Sequence, residues 1–162
     1  MESSVYLGID VGKLGGLVFL NGKGEILEYH KMPMIGTEYD ISTLRLLLQS
    51  HSISHVAIEN VHAIQGRIGS SSNFSFGLGK GILIGLVSGL QIPFTLVNPK
   101  AWQKVAWEGV VRQSDTKKTS LLAAKRLFPK EDFLSTTRST KPHDGIVDAC
   151  LIAEYLRRSF IK

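Results

Sequence analysis

Residues 5–31 are VYLGIDVGKLGGLVFLNGKGEILEYHK, a stretch of three short apolar runs that are separated by glycine turns. Each run has the composition of a β-strand, and the three lie at Val5–Asp10, Gly16–Leu20 and Gly24–Lys31. The Asn-Gly pair between the second and third runs is a strong hairpin signal. The stretch therefore predicts an antiparallel meander of three strands whose first strand ends in a carboxylate, Asp10.

Downstream of the meander, the pattern alternates between helices and strands. The predicted elements are a helix at Ile41–Gln49, a strand at His55–Glu59, a helix at about Asn73–Leu90, a strand at Phe94–Val97, a short helical turn at Ala101–Val105, a helix that Ser114 or Asp115 caps and that ends at Phe128, and a closing helix at Gly145–Arg158. Hairpins first and crossover helices later predict an α/β fold, a five-stranded mixed β-sheet covered by helices.

The long apolar helix is rich in glycine. Four of its glycines recur every four residues and so share one face, namely Gly77, Gly81, Gly85 and Gly89. Because glycine is a poor helix former, their number predicts that something packs very close to the helix backbone. The segment Phe76–Leu90 is therefore a candidate dimer interface, unless the helix packs wholly on its own sheet.

Composition narrows the class of protein. The 162 residues fit one domain, 1–162, and the formal net charge of +5 favours a polyanionic partner, nucleic acid rather than a membrane. With neither a signal-peptide pattern nor a membrane span, we expect a soluble intracellular protein of the cytoplasm, of a phage-infected host, or of an organelle after removal of a transit peptide. The single cysteine, Cys150, excludes disulfides within the chain and indicates a buried structural thiol.

Four acidic residues carry the chemistry. Asp10 and Glu59 end strand-like runs, whereas Asp144 and Asp148 lie four apart, on one face of the last helix near its start. An isolated ionised carboxylate at the edge of a core is costly, so their convergence predicts a metal site, and all-oxygen ligands favour Mg²⁺ or Mn²⁺. Two such ions about 3.5–4 Å apart can activate a water and stabilise the leaving oxygen of a phosphodiester.

Each of these residues also has an ordinary structural interpretation. Asp144 could cap the last helix, Asp10 could form a side-chain turn, and Glu59 could be a solvated strand end. His143 is either a proton shuttle or metal-proximal ligand, or an ordinary loop histidine. The residues alone leave these alternatives open.

The segments GIDVG, AIEN and HDGIVDA together resemble the acidic motifs of RuvC-type Holliday-junction resolvases, members of the ribonuclease H-like superfamily. The resemblance extends through residues 62–104 and 114–129. It is closest to the phage-type and chloroplast-type branch, whose last motif also carries HDG followed by an acid four residues after the aspartate. The resemblance implies a ribonuclease H-like fold and a Mg²⁺-dependent nuclease, with Mn²⁺ as a possible substitute and two ions in each active site.

The resemblance also implies roles for individual residues. It implies that the ions are bound by Asp10, Glu59, Asp144 and Asp148. It further implies that a lysine of the SDTKK motif, Lys117 in preference to Lys118, supports the transition state. Phosphoryl transfer develops negative charge on oxygens, which a nearby cation stabilises. The alternative is that both lysines are merely first-turn residues in solvent.

A loop from Val61 to Ser72 follows Glu59 and should lie at the rim of the site. The candidate DNA-contacting residues in and around it, and on later helices, are Gln65, Arg67, Ser70, Ser71, Phe74, Lys100, Lys104 and Lys118. Phe74 and Phe76 could stack on unpaired bases or belong to the core. We expect Trp102 to be packed inside.

The function implied by the resemblance is the resolution of four-way DNA junctions by paired symmetric nicks, made by a homodimer with two equivalent sites. The rival hypotheses are a junction-binding protein that does not cut, and a ribonuclease H-like nuclease that acts on RNA. An actin-like or sugar-kinase-like ATPase would need two such domains, and this chain has length for one.

Overall fold

The computed structural model describes residues 4–61 and 70–161. Its strands are β1 (Val5–Asp10), β2 (Gly16–Asn21), β3 (Ile26–Lys31), β4 (Met34–Ile35), β5 (Glu38–Tyr39), β6 (Ile53–Glu59) and β7 (Phe94–Val97). Its helices are α1 (Ile41–Gln49), α2 (Ser70–Gly89), α3 (Pro99–Ala106), α4 (Thr116–Leu127) and α5 (Asp144–Phe160).

The predicted five-stranded mixed sheet is confirmed, with the strand order β3-β2-β1-β6-β7. The meander β1-β2-β3 is antiparallel, whereas β6 runs parallel to β1 and β7 runs parallel to β6. Since β1 and β6 are parallel neighbours, their carboxyl ends lie at the same edge of the sheet.

Several element boundaries differ from the sequence-based expectation. The third strand begins at Ile26 rather than Gly24, and α2 begins at Ser70 rather than near Asn73. The expected helical turn is an eight-residue helix, α3, that starts with Pro99. The small hairpin β4-β5 was not predicted, because two-residue strands are too short to show alternation.

Alternation along β1 divides the core into two layers. Val5, Leu7 and Ile9 pack with α1 and α2, whereas Tyr6 packs on the opposite side with α3, α4 and α5. Successive strand residues point to opposite faces, so Asp10 lies on the same face as Tyr6 and therefore on the side of α5.

Helix α5 lies directly against the backbone of the sheet. A Cβ at Gly8 would overlap the Ala149 carbonyl oxygen and the Ala153 amide, and a Cβ at Gly145 would overlap the backbone at Leu14 and Gly15. Only glycine permits this approach. The amino-terminal turn of α5 is thereby held beside the carboxyl end of β1.

The glycine face of α2 does not pack as predicted against the described residues. Among these residues, a Cβ at Gly77, Gly81, Gly85 or Gly89 would meet no heavy atom within 4 Å, and close contact occurs only at Gly79, against Tyr39. The helix reaches the core through Leu83 and Val87 instead.

Two smaller expectations concern burial and membrane spans. Cys150 is buried, as predicted. In the ranges 4–61 and 70–161, no helix combines the length and apolar character needed to cross a membrane.

Candidate active site

Asp10 and Glu59 leave neighbouring strands side by side. The register pairs Ile9 of β1 with Ile58 of β6, so the next residue of each strand is an acid. Ala57 faces the layer of α3, α4 and α5, and Glu59, two residues later, points to the same face. Glu59 is buried, with only 9% of its surface exposed, and is not a solvated strand end.

The first two turns of α5 bring the other two acids to the same place. Asp144 is the first residue of α5, and Asp148 follows one turn later. The N-cap is His143 rather than Asp144, because His143 Nδ1 accepts a hydrogen bond from the Ile146 amide. A ring nitrogen that accepts this bond carries no proton, so the proton of the neutral ring is on Nε2.

These residues line a cleft of about 660 Å³ at the carboxyl edge of the sheet. Its described lining is formed by Asp10, Val11, Gly12, Lys13, Leu14, Gly15, Glu59, Val61, Ser72, Ser75, Phe76, Lys117, Pro142, His143, Asp144, Gly145 and Asp148. All five residues that were predicted to be catalytic are among them. The sequence analysis did not identify Lys13, Leu14, Ser75 or Pro142.

The acids of the cleft perturb one another strongly. Burial and the charges of Glu59, Asp148 and Asp144 raise the pKa of Asp10 well above its usual range, and a hydrogen bond with Glu59 adds to the effect. Burial and the charges of Glu59 and Asp144 raise the pKa of Asp148 to about 6. Ser120 and Lys117 act in the opposite direction but do not cancel this effect. The cleft therefore holds more negative charge than the protein alone neutralises.

Two of the acids are held by partners that no sequence pattern indicated. Trp102 Nε1 donates a hydrogen bond of 3.0 Å to Glu59 Oε1. Ser120 lowers the pKa of Asp148, and Trp107 Nε1 donates a hydrogen bond of 3.3 Å to the Ser120 hydroxyl. Trp102 is buried, as expected.

Lys117 lies in the cleft and contacts an acid of the site. Its Nζ is 2.7 Å from Asp144 Oδ2, and this hydrogen bond raises the pKa of the lysine. Asp115, the N-cap of α4, accepts a hydrogen bond from the Lys117 amide and fixes the start of that helix. Lys117 is thus an exposed first-turn residue, but one with a partner in the site.

The donor set fits a hard divalent cation. All four carboxylates offer oxygen ligands, and Asp148 Oδ1 is buried without a hydrogen-bond partner. Within the described part of the chain, no three His, Cys, Asp or Glu side chains are already gathered as a metal-binding group. The Lys117 ammonium, 2.7 Å from Asp144 Oδ2, takes up part of the negative charge of the acids.

The candidate DNA-contacting residues are not gathered in the cleft. Gln65 and Arg67 lie outside the described residues, as does the side chain of Ser70. The remaining candidates are exposed, and none of them is part of the described lining of the cleft. They are Ser71, Phe74, Lys100, Lys104 and Lys118. Phe74 is 73% exposed, so the core alternative for this residue is wrong. Phe76 instead lines the cleft, and its ring lies against Gly12.

Solved structures with the same architecture include two of RuvC. The chain matches Thermus thermophilus RuvC with 18% identity and a TM-score of 0.66, over 96% of each chain. It matches T. thermophilus RuvC in complex with Holliday junction substrate with 15% identity and a TM-score of 0.64, over 97% of this chain and 96% of that chain.

A third similar structure is the yeast mitochondrial Holliday junction resolvase Ydc2. The identity is 15% and the TM-score 0.64, over 97% of this chain and 79% of that chain. No family model matches the sequence, and no curated protein matches it either. The structural likenesses show that the chain has the ribonuclease H-like fold of RuvC-type resolvases.

Proposed function

We propose that the chain is a single-domain, divalent-metal-dependent endonuclease that resolves four-way DNA junctions by paired nicks. The observation that carries the proposal is the convergence of Asp10, Glu59, Asp144, Asp148 and Lys117 in one cleft. The proteins of similar fold described above are Holliday-junction resolvases, one of them in complex with junction substrate, which supports the choice of DNA junctions as substrate.

The four carboxylates would hold Mg²⁺, with Mn²⁺ as a substitute, and the number of acids suits two ions. Bound there, the cations would supply an activated water and charge stabilisation for phosphodiester hydrolysis. The chain itself contributes the placement of the acids. Asp10 and Glu59 are fixed by strand ends, and Asp144 and Asp148 by the start of α5.

Lys117 would stabilise negative charge on the phosphate as the bond breaks. Its contact with Asp144 joins side chains that are 66% and 55% exposed. Such a pair contributes about 0–1 kcal/mol, so a phosphate can displace the carboxylate from the ammonium with little cost. His143 lines the cleft, and its burial lowers its pKa, so the neutral ring offers its Nε2 proton as a hydrogen bond at neutral pH.

The DNA duplex arms would lie on the exposed basic residues outside the cleft. Lys100 and Lys104 are exposed on α3, which begins directly after β7. Lys118 is exposed beside Lys117 on α4. Cations at these places suit phosphate contacts, which fix the position of the DNA without reading its sequence. Phe74 offers an exposed aromatic face for stacking on an unpaired base.

A homodimer would present two equivalent sites to the two strands that must be cut. The open glycine face of α2, with Leu78 exposed on the same helix, is the candidate interface. Since a Cβ at Gly81 meets no atom of residues 4–61 and 70–161 within 4 Å, Gly81→Leu should leave the monomer folded yet block close approach by a second copy. Sedimentation should show a dimer for the native protein and a monomer for Gly81→Leu, with Ser42→Leu on exposed α1 as control.

The deciding experiment uses a labelled four-way junction and a linear duplex of the same sequence, each with Mg²⁺ and with EDTA. We expect symmetric, Mg²⁺-dependent nicks in the junction alone, lost in Asp10→Asn and retained in the matched control Asp132→Asn on the exposed loop after α4. Tight junction binding without nicks would favour the non-cleaving alternative. Cleavage of RNA in place of the junction would favour the RNA nuclease.

A further inference from the structure

The two tryptophans of the chain form one buried unit behind the acidic cleft. Trp102 lies on α3, and Trp107 follows that helix directly. Their rings meet edge to face, with centroids 6.2 Å apart and planes at 83°. Both side chains are buried, with 1% and 7% exposure. Aromatic pairs of this geometry resist displacement of either ring.

Each indole N–H of this pair leads to a different acid of the cleft. Trp102 donates directly to Glu59 Oε1 at 3.0 Å. Trp107 donates to Ser120 Oγ at 3.3 Å. Because an indole nitrogen only donates, Ser120 is the acceptor in that bond, which leaves its O–H free, and the same Ser120 lowers the pKa of Asp148. One indole therefore contacts Glu59 itself, and the other contacts a hydroxyl that favours the ionised Asp148 carboxylate.

We propose that the Trp102–Trp107 pair is a positioning unit for the metal-binding acids, in which Trp102 orients Glu59 directly and Trp107 orients Asp148 through Ser120. This inference rests on the proposed function, since it assigns a role toward the cations of that same site. Neither tryptophan lines the cleft as described, so neither is a catalytic residue. Each acts by fixing which carboxylate oxygen stays available to a cation.

The geometry explains why two separate acids need such support. Glu59 ends β6, the strand next to the edge of the sheet, and Asp148 lies on α5. Because the two acids belong to different elements, the backbone hydrogen bonds of neither element fix one side chain relative to the other. The edge-to-face contact between the two rings packs the two supports against each other. Partners that orient metal-binding side chains from behind typically change metal affinity or activity about 10–100-fold when removed.

A spectroscopic test follows from the tryptophan count. With two tryptophans in the chain, a ¹⁵N-labelled sample gives two side-chain indole N–H resonances. Titration of the full chain with Mg²⁺ should move both resonances along the same saturation curve. In Ser120→Ala, the Trp107 resonance should stop responding, whereas the Trp102 resonance should still move.

The activity test uses variants that keep an aromatic ring but lose the indole N–H donor together with part of the buried ring volume. Trp102→Phe should raise the Mg²⁺ concentration for half-maximal single-turnover cleavage about 10–100-fold, and Trp107→Phe should have a smaller effect in the same direction. Leu156→Ala, at the far end of α5 in the same hydrophobic cluster, is the packing control. It should lower the melting temperature without changing the Mg²⁺ requirement.

The outcomes separate this inference from the proposed function. A native protein that neither binds Mg²⁺ nor cuts a junction would refute the proposed function itself. A native protein that cuts, with indole resonances unmoved at saturating Mg²⁺, would overturn the positioning role alone. The positioning role is equally overturned if Trp102→Phe is folded by its circular dichroism spectrum and keeps the native Mg²⁺ requirement.

Discussion

Neutralising Asp148 should stabilise the metal-free protein. Its side chain is largely buried beside Glu59 and Asp144, and one of its oxygens has no hydrogen-bond partner. The pKa of Asp148 rises from 3.8 to about 6. Each pKa unit corresponds to about 1.36 kcal/mol, so keeping this carboxylate ionised in the folded state costs about 3 kcal/mol. Asp148→Asn removes that cost and keeps an oxygen that can accept from Ser120.

Thermal melting in EDTA at pH 8 measures the effect. For a chain of this length, about 1 kcal/mol shifts the melting temperature by about 2–4 °C, so Asp148→Asn should melt about 6–12 °C above the native protein. Because the folded-state pKa is raised, the penalty is complete above pH 6 and disappears as the pH falls toward 3.8. The difference between variant and native protein should therefore shrink from pH 8 to pH 4.

The melting experiment includes a control variant, Asp132→Asn, and a comparison with added Mg²⁺. Asp132 accepts a hydrogen bond from the Leu134 amide, which lowers its pKa, so Asp132→Asn should leave stability unchanged or reduce it. Mg²⁺ should stabilise the native protein more than Asp148→Asn, since the ion offsets the same charge. An Asp148→Asn protein that melts at or below the native temperature in EDTA would refute the account of the cleft as a site of uncompensated charge.

Three further predictions concern single residues. Asp10→Asn should abolish cleavage while junction affinity in a gel-shift assay persists; cleavage at the native rate would remove the metal hypothesis. Lys117→Ala should slow single-turnover cleavage at saturation about 10²–10³-fold, whereas Lys118→Ala, at a proposed phosphate contact, should weaken junction binding yet cut near the native rate at saturation; equal saturated rates for the two variants would reject the choice of Lys117. Glu154 is buried, which raises its pKa, but hydrogen bonds from Arg157 and Arg158 outweigh this and lower it. In urea unfolding, Glu154→Gln should therefore be less stable than the native protein above about pH 4.5, with the gap closing as the pH falls through the lowered pKa.

The sequence predicted the elements whose pattern is local. Val5–Asp10, Ile41–Gln49 and Phe94–Val97 have the predicted bounds, because alternation, capping by Asp40 and a following proline mark their limits. The four acids were also recognisable, since they end strands or begin a helix that meet at one edge, whereas Lys117 was singled out by the resemblance of its SDTKK motif. The placement of the acids at one edge can be predicted from the order of the strands and helices along the chain alone.

What the sequence could not predict depends on contacts between distant segments. Trp102 and Glu59 are 43 residues apart, and no periodicity relates them. The glycines of α2 indicated close packing but could not indicate which segment packs there, and in the part of the chain that the structure describes only Gly79 has such a contact. Phe74 has a large apolar side chain of the kind usually found in a core, but its position on α2 leaves it exposed.

The closeness of the acids has its origin in backbone packing. Gly8 and Asp10 of β1 point to the same face of the sheet, because they are two residues apart. Gly8 allows α5 to pack closely on that face, and Asp10 therefore lies near the acids of α5. A larger residue at position 8 would hold α5 away and spread the carboxylates, which would relieve their repulsion. The sequence instead has a glycine where β1 contacts α5, and it has acids at the end of β1 and in the first two turns of α5. That combination destabilises the metal-free fold while the acids are ionised, and it supports the proposed cation site, because a bound cation would supply compensating positive charge.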